Sequence, residues 1–243
     1  MLTKASAKFI KSLQLKKYRN IEQLFVVEGV KSVDEVISST FKIKTIVAEE
    51  SFVQDRDLSG IEVIKASRKE LAQLGSFKTN DGAVAVVHQK SNQSLTLTEG
   101  LFIALDGVND PGNLGTIIRI ADWYGIDKIV ASKDTVEVYN PKVIAASKGS
   151  FCRVNVYYHD LLPTLSESKL TKYGAFMSGE NIHSQKFNQH GIIVMGNEAN
   201  GISPAVEELI DVKITIPKYG AAESLNVAMA TAIICDNFKR QLH

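Results

Sequence analysis

The sequence predicts an α/β protein in two parts, and three observations carry that prediction. The first is residues 101–130, LFIALDGVNDPGNLGTIIRIADWYGIDKIV. An apolar run (Leu101–Leu105), a polar loop with Gly and Pro (106–113), an amphipathic segment and a second apolar run (129–131) read as strand, loop, helix, strand. That is the repeating unit of a parallel sheet. The second observation is that short apolar strands alternate with short helical segments through residues 1–88, enough for a small α/β domain. The third is residues 89–100, QKSNQSLTLTEG, which are polar, weakly periodic and read as a linker. The expected organisation is an N-terminal domain over 1–90, a linker over 91–100 and a second domain over 101–243.

Bulk composition bounds the rest. A chain of 243 residues accommodates one large domain or two ordinary ones. A hydrophobic content of 44% with 23% charged residues suits a globular protein with a sizeable core. The net charge of +1 makes no global case for nucleic acid, so any such case rests on local clustering. Cys152 and Cys235 lie far apart with no C-x-x-C, which fits a reducing compartment and argues against a thiolate metal site. The start, MLTKASAKFIKSL, lacks the apolar core of a signal peptide, and no apolar run reaches membrane-spanning length. The expectation is a cytoplasmic protein with no membrane association.

Taken in order, the first twenty residues hold Lys4, Lys8, Lys11, Lys16, Lys17 and Arg19, and the first acid is Glu22. Phe9, Ile10 and Leu13 make a short amphipathic helix, followed by a basic turn. Charge alone allows a solvated terminal helix or a phosphate-contacting patch built on Lys16, Lys17 and Arg19. Next come a strand (24–28), a helix (29–38), strands at 43–48 and 61–64, and a helix to Leu74 opened by a Ser67–Glu70 capping box. A strand at 82–88 completes the domain. Beyond 131, Asn140-Pro141 opens a helix in the N-cap and first-turn-proline pattern. Strands follow at 154–158, 173–177 and 192–195, then a helix from Ser203-Pro204 to Ile210 and a last strand at 212–216. The final helix runs over 224–241. From Leu225 to Cys235 it has no charged residue and is apolar or small all round, so it is expected to be buried on more than one side. A homodimer interface including this helix would supply the second cover; burial within one chain is the alternative.

Candidate chemistry sits on loops. Leu114, Ile117, Ile118 and Ala121 form one apolar stripe, and Arg119 lies off it, able to face a cleft or to pair with Asp122 as a surface ion pair of little worth. Three polar, glycine-bearing segments each follow an apolar strand: 106–113, 196–201 (GNEANG) and 217–223. Each alone reads as a strand-to-helix turn; together they could converge at one sheet edge, where glycine lets backbone approach a ligand. Neither G-x-x-x-x-G-K-[ST] nor G-x-G-x-x-G is present, which disfavours nucleotide triphosphates and dinucleotides. Glu198 could simply cap the following helix, and Ser224 or Asn226 could cap the last one. The five histidines show no ligand spacing, so no metal is expected, and no G-x-S-x-G elbow supports a serine hydrolase.

Read together, NDPGNLGTIIR, MGNEANGIS and IPKYGAAESLNVAMATAI resemble, in order and placement, the three motifs of the SpoU (TrmH-type) RNA 2′-O-ribose methyltransferases. The resemblance runs from Leu101 to the C-terminus. The basic KKYRN and the VVEG at 26–29 resemble the small substrate-binding α/β domain of ribosomal-RNA members, with TNDGAVAVV departing from the more usual ending there. The resemblance implies a C-terminal domain with a deep trefoil knot, S-adenosylmethionine as methyl donor, no metal, and a homodimer. It makes Arg119 the residue that activates the ribose 2′-hydroxyl and Asn113 its neighbour, with Glu198, Ser224 and Asn226 completing the catalytic pocket. Gly196, Gly201, Ile216, Leu225 and Asn226 match positions that hold the cofactor. An arginine is ordinarily always charged. Two roles for Arg119 therefore stand open, an unusual base or a cation that stabilises the developing alkoxide. The expected activity is methylation of a ribose 2′-hydroxyl in 23S ribosomal RNA. The whole N-terminal domain favours ribosomal over transfer RNA. The alternatives are a tRNA 2′-O-methyltransferase, a non-catalytic RNA-binding protein that keeps the fold, and a nucleotide-binding α/β enzyme.

Overall fold

The six-stranded parallel sheet that holds the three glycine loops belongs to one of two units into which the chain divides. The computed structural model describes residues 2–75 and 82–241. Residues 79–81, where the TND sequence departs from the family pattern, lie outside the described residues. The first unit comprises Met1–Ser91 and Tyr139–Cys152; the second comprises Asn92–Val138 and Arg153–His243.

In the first unit α1 (Lys4–Ser12) starts at Thr3, whose side chain accepts from the Ser6 N–H. The expected basic turn is instead a second helix, α2 (Lys16–Glu22), which ends on Gln23 in the left-handed region at φ 52°. There follow β1 (Leu24–Glu28), α3 (Val30–Ile37), β2 (Ile43–Ala48), α4 (Glu50–Gln54), β3 (Glu62–Lys65), α5 (Arg68–Leu74) and β4 (Ala83–His88). The sheet runs β1-β4-β2-β3, with β4 antiparallel to β1 and β2, and β2 parallel to β3. The Ser67–Glu70 capping box forms as the spacing predicts, satisfying two helix-start donors reciprocally. Ile10 and Leu13 pack with Leu24, Val26, Val47, Leu71, Val84 and Val86 as the core.

The second unit opens with β5 (Leu101–Leu105), α6 (Pro111–Trp123) and β6 (Lys128–Ala131). The next helix, α7 (Pro141–Ser147), and the 3₁₀ turn Ser150–Cys152 group with the first unit. There the Phe25 ring stacks on Tyr139 at 4.5 Å and meets Phe151 edge-on at 6.0 Å. The second unit continues with β7 (Asn155–Tyr158), α8 (Leu161–Glu167), β8 (Thr171–Asn181), β9 (Gly191–Met195), α9 (Pro204–Glu207), β10 (Val212–Thr215) and α10 (Val227–Arg240). The α9 helix is shorter than the pattern to Ile210 predicts. Residues 92–100 form neither helix nor strand and belong to this unit. The Asn92 side chain exchanges hydrogen bonds with the Tyr158 backbone, and Leu97 is buried with Phe102.

All neighbours in the sheet β10-β8-β9-β5-β6-β7 run parallel. Every residue of β9 is buried, as a central parallel strand covered on both faces requires. From β5 the chain steps outward through β6 and β7, and later returns to place β9 on the other side of β5. The β5–β9 boundary is therefore the point where strand order reverses, the usual ligand position in an open α/β sheet. Among the described residues no helix is long and apolar enough to cross a membrane.

Candidate active site

The loops after β5 and β9 leave neighbouring strands at this reversal, and the loop after β10 approaches them from the sheet edge. The first loop ends where Asp110 caps α6: its Oδ1 accepts the Asn113 N–H at 2.8 Å, with Pro111 in the first turn. This fixes Asn113 at the helix start and turns the apolar stripe inward. Leu114, Ile117, Ile118 and Ala121 are all fully buried, as their spacing predicts. Arg119, off the stripe, is exposed and makes no hydrogen bond or ion pair among the described residues. Its expected surface partner is taken: Asp122 receives a bidentate contact from Arg153 at 2.8–3.0 Å.

The second loop begins at Gly196. A Cβ there would lie 2.1 Å from the Gly201 carbonyl carbon and 2.2 Å from the Ile202 nitrogen, so only glycine lets these backbone segments pass. Glu198 does not cap α9. Its Oε1 accepts from Asn113 Nδ2 at 2.8 Å. The third loop ends at Asn226, which caps the last helix and also reaches the first loop. Oδ1 caps α10 by accepting from Ala228 and Met229, and Nδ2 donates to Asn113 Oδ1 at 2.8 Å. Asn226, Asn113 and Glu198 thus form one hydrogen-bonded chain across three loops. Ser224 does not join it and is exposed.

Residues 218–224 are exposed and make no backbone hydrogen bond among the described residues. Their N–H and C=O groups are open to a polar ligand, and half-buried Ile216 and exposed Leu225 flank them with apolar surface. Backbone donors and acceptors between two aliphatic side chains suit an adenosine. Gly196 and Gly201 bound the turn after β9, where Asn197 and Gly201 pair through their backbones. Burial pushes the Cys235 thiol up to about 12, which leaves it inert as a nucleophile at neutral pH.

Two residues outside the expected set hold the first two loops together: Asp106 accepts from the Ser203 N–H at 2.7 Å, and Asn197 donates to the Gly107 carbonyl at 2.6 Å. The signal for Asp110 was available, since Asp-Pro repeats the N-cap pattern read at Asn140-Pro141. In the first unit the expected RNA contacts separate. Lys16 and Lys17 are exposed, but Arg19 is 2% exposed and donates to the Leu13 and Gln14 carbonyls at 2.9 and 2.7 Å. Arg19 is therefore corrected from a phosphate contact to a brace for the end of α1.

The geometry has a match among known proteins. The SpoU rRNA Methylase family matches residues 100–236, and the MRM3-like substrate binding domain matches residues 4–85. The chain belongs to the SpoU methylase family. The 23S rRNA (guanosine(2553)-2′-O)-methyltransferase of Bacillus subtilis is 32% identical over 229 residues, covering 92% of each chain. A structure assigned to the TrmH family of RNA methyltransferases, from Porphyromonas gingivalis, shares 34% identity with a TM-score of 0.91 over 99% of each chain. The S-adenosylmethionine-bound rRNA methyltransferase of Sinorhizobium meliloti shares 26% identity and a TM-score of 0.90, over 100% of this chain and 97% of its own. The α/β class and parallel catalytic sheet expected from the SpoU motifs are those observed.

Proposed function

We propose that the chain transfers a methyl group from S-adenosylmethionine to a ribose 2′-hydroxyl of 23S ribosomal RNA. The observation that carries this reading is the Asn226–Asn113–Glu198 chain at the start of α6, with Arg119, six residues after Asn113 on the same helix, exposed and without a protein partner among the described residues. A pure RNA binder has no use for that construction. S-adenosylmethionine supplies an electrophilic methyl group when bound. Gly196, Gly201, Ile216, Leu225 and Asn226 hold it, through backbone groups and apolar contact. Arg119 faces the RNA, and its cation favours the alkoxide form of the ribose as the hydroxyl proton passes to solvent water. Asn113, Glu198 and Asn226 fix the loops at hydrogen-bond distances, so that ordering occurs before the RNA arrives. Ser224 lies on the exposed stretch toward the cofactor.

Lys16 and Lys17 on α2 contact phosphate in the first unit. Ribosomal RNA is favoured by the substrate-binding domain match and by the 23S activity named for the Bacillus relative. The SpoU match also supports the knotted C-terminal domain and the homodimer. Met229 on α10, Leu225 just before it and Trp123 on α6 are 58%, 51% and 84% exposed, large apolar side chains that a second subunit would cover. The protein works in the cytoplasm, where its RNA is.

The test has two arms. Calorimetry with S-adenosylmethionine is expected to give binding, and labelled methyl is expected to enter unmodified 23S rRNA and not transfer RNA. Absence of cofactor binding at millimolar ligand would sink the enzyme reading, and transfer RNA as the better acceptor would overturn the substrate. Sedimentation is expected to give a dimer that Met229→Glu weakens.

A further inference from the structure

Asn197 stands between the backbone crossing at Gly196 and the carboxylate of Glu198, and nothing in the motif reading gave it a part. Its side chain is the most heavily used in the loop. Nδ2 donates to the Gly107 carbonyl at 2.6 Å, while Oδ1 accepts from the Ala199 and Asn200 N–H groups at 2.9 and 3.1 Å. Its own N–H and C=O pair with Gly201, both at 2.9 Å. Backbone on both sides of Glu198 is thereby pinned, and the loop as a whole is tied to the loop that leads to Asn113. Glu198 itself is exposed and, among the described residues, accepts one side-chain hydrogen bond, from Asn113 at 2.8 Å. An exposed carboxylate on a mobile loop would lose rotamer freedom to make that bond; on a pinned loop much of the cost is met on folding.

We propose that Asn197 is a positioning residue for the methyl-transfer site, setting the separation of the β5 and β9 loops so that Glu198 meets Asn113. This rests on the function proposed above. The role needs an amide. The donor reaches across to Gly107 and the acceptor closes the turn over 199–200 from a separate atom; a carboxylate has no donor, and a single hydroxyl oxygen has one position for both demands. Gly107, whose carbonyl meets the Asn197 amide, sits at φ 71°, a left-handed conformation that favours glycine.

Asn197→Asp isolates the inter-loop bond. It keeps an oxygen to close the turn and sets a second oxygen against the Gly107 carbonyl. With the full-length chain, S-adenosylmethionine and an unmodified 23S rRNA transcript, Asn197→Asp is expected to lower kcat about tenfold, the scale of a small misplacement at a reacting centre. KM for RNA and the calorimetric Kd for cofactor should stay within about threefold, because neither binding surface is removed. The thermal midpoint should fall by a few degrees, the cost of one lost part-buried hydrogen bond, with the variant still fully folded at the assay temperature. Asn197→Ser, whose hydroxyl still closes the turn but cannot reach Gly107, carries the same expectation should the aspartate variant fail to fold. A parent-like kcat, a loss confined to KM or Kd, or a loss that only follows unfolding at the assay temperature would overturn the assignment. A parent that leaves the RNA unmethylated overturns the functional reading itself, whereas a methylating parent with an unaffected variant overturns only the role of Asn197.

Discussion

The α2 and α6 helices each carry an arginine that the sequence offers for RNA chemistry, and the two have opposite fates. Arg19 on α2 turns inward, is 2% exposed and spends its guanidinium on two carbonyls at the end of α1. Arg119 on α6 is exposed and engages no protein group among the described residues, while the acid beside it is held by Arg153. A buried guanidinium bonded to carbonyls is part of the fold, because removing it orphans acceptors that water cannot reach. An exposed one left unpaired on the helix that opens at a hydrogen-bonded loop cluster is available to a ligand. Charge and position in the chain do not separate the two. The hydrogen-bond partners do.

Four variants press on that comparison. The largest effect belongs to Arg119→Ala, expected to cost at least about 10³-fold in methyl transfer while cofactor affinity and thermal midpoint hold. A fully active variant would return Arg119 to the surface. Arg19→Ala should do the reverse, destabilising the chain by about 3 kcal/mol in denaturant titration by stranding the Leu13 and Gln14 carbonyls. Equal stability would mean that the brace is idle. Reversal of Lys16 and Lys17 to Glu should weaken RNA binding with a smaller stability change than that of Arg19→Ala. It should also make the slope of log affinity against log salt shallower by about 1.5, two phosphate contacts' worth. An unchanged slope would leave α2 a solvated face.

The smallest effect is at Glu70, whose hydrogen bonds from the Ser67 hydroxyl and N–H hold its carboxyl below the ordinary value. A carboxyl with a lower pKa folded than unfolded adds stability above its unfolded pKa and loses it as pH falls through the folded one. Glu70→Gln should therefore flatten the acid limb of the stability profile slightly, and an identical profile would assign the capping box no titrating part.

Much of the site is legible in the amino-acid sequence. The stripe Leu114, Ile117, Ile118, Ala121 dictates which way α6 faces, because burial follows a 3.6-residue period. Glycine and polar residues after three apolar strands locate the loops, since backbone that leaves a parallel sheet must turn and solvate. What escapes is long-range. Nothing local distinguishes Arg19, buried against α1, from its exposed neighbours Lys16 and Lys17 in a basic run. The grouping of Tyr139–Cys152 with the first unit depends on rings of Phe25, Phe41 and Phe151 meeting across more than a hundred residues. Asn197 looks like any turn asparagine until Gly107, ninety residues earlier, is seen at its amide. Residues with a strong local period or a motif can be read from sequence; those whose role is a single distant hydrogen bond cannot.

The central claim is that these loops act on a ribose hydroxyl. Nucleoside mass spectrometry of 23S rRNA incubated with the chain and S-adenosylmethionine tests it most directly. A single 2′-O-methylated nucleoside, absent when Arg119→Ala replaces the parent, is the predicted result. Methyl found on a base, or 2′-O-methylation undiminished without Arg119, would contradict it.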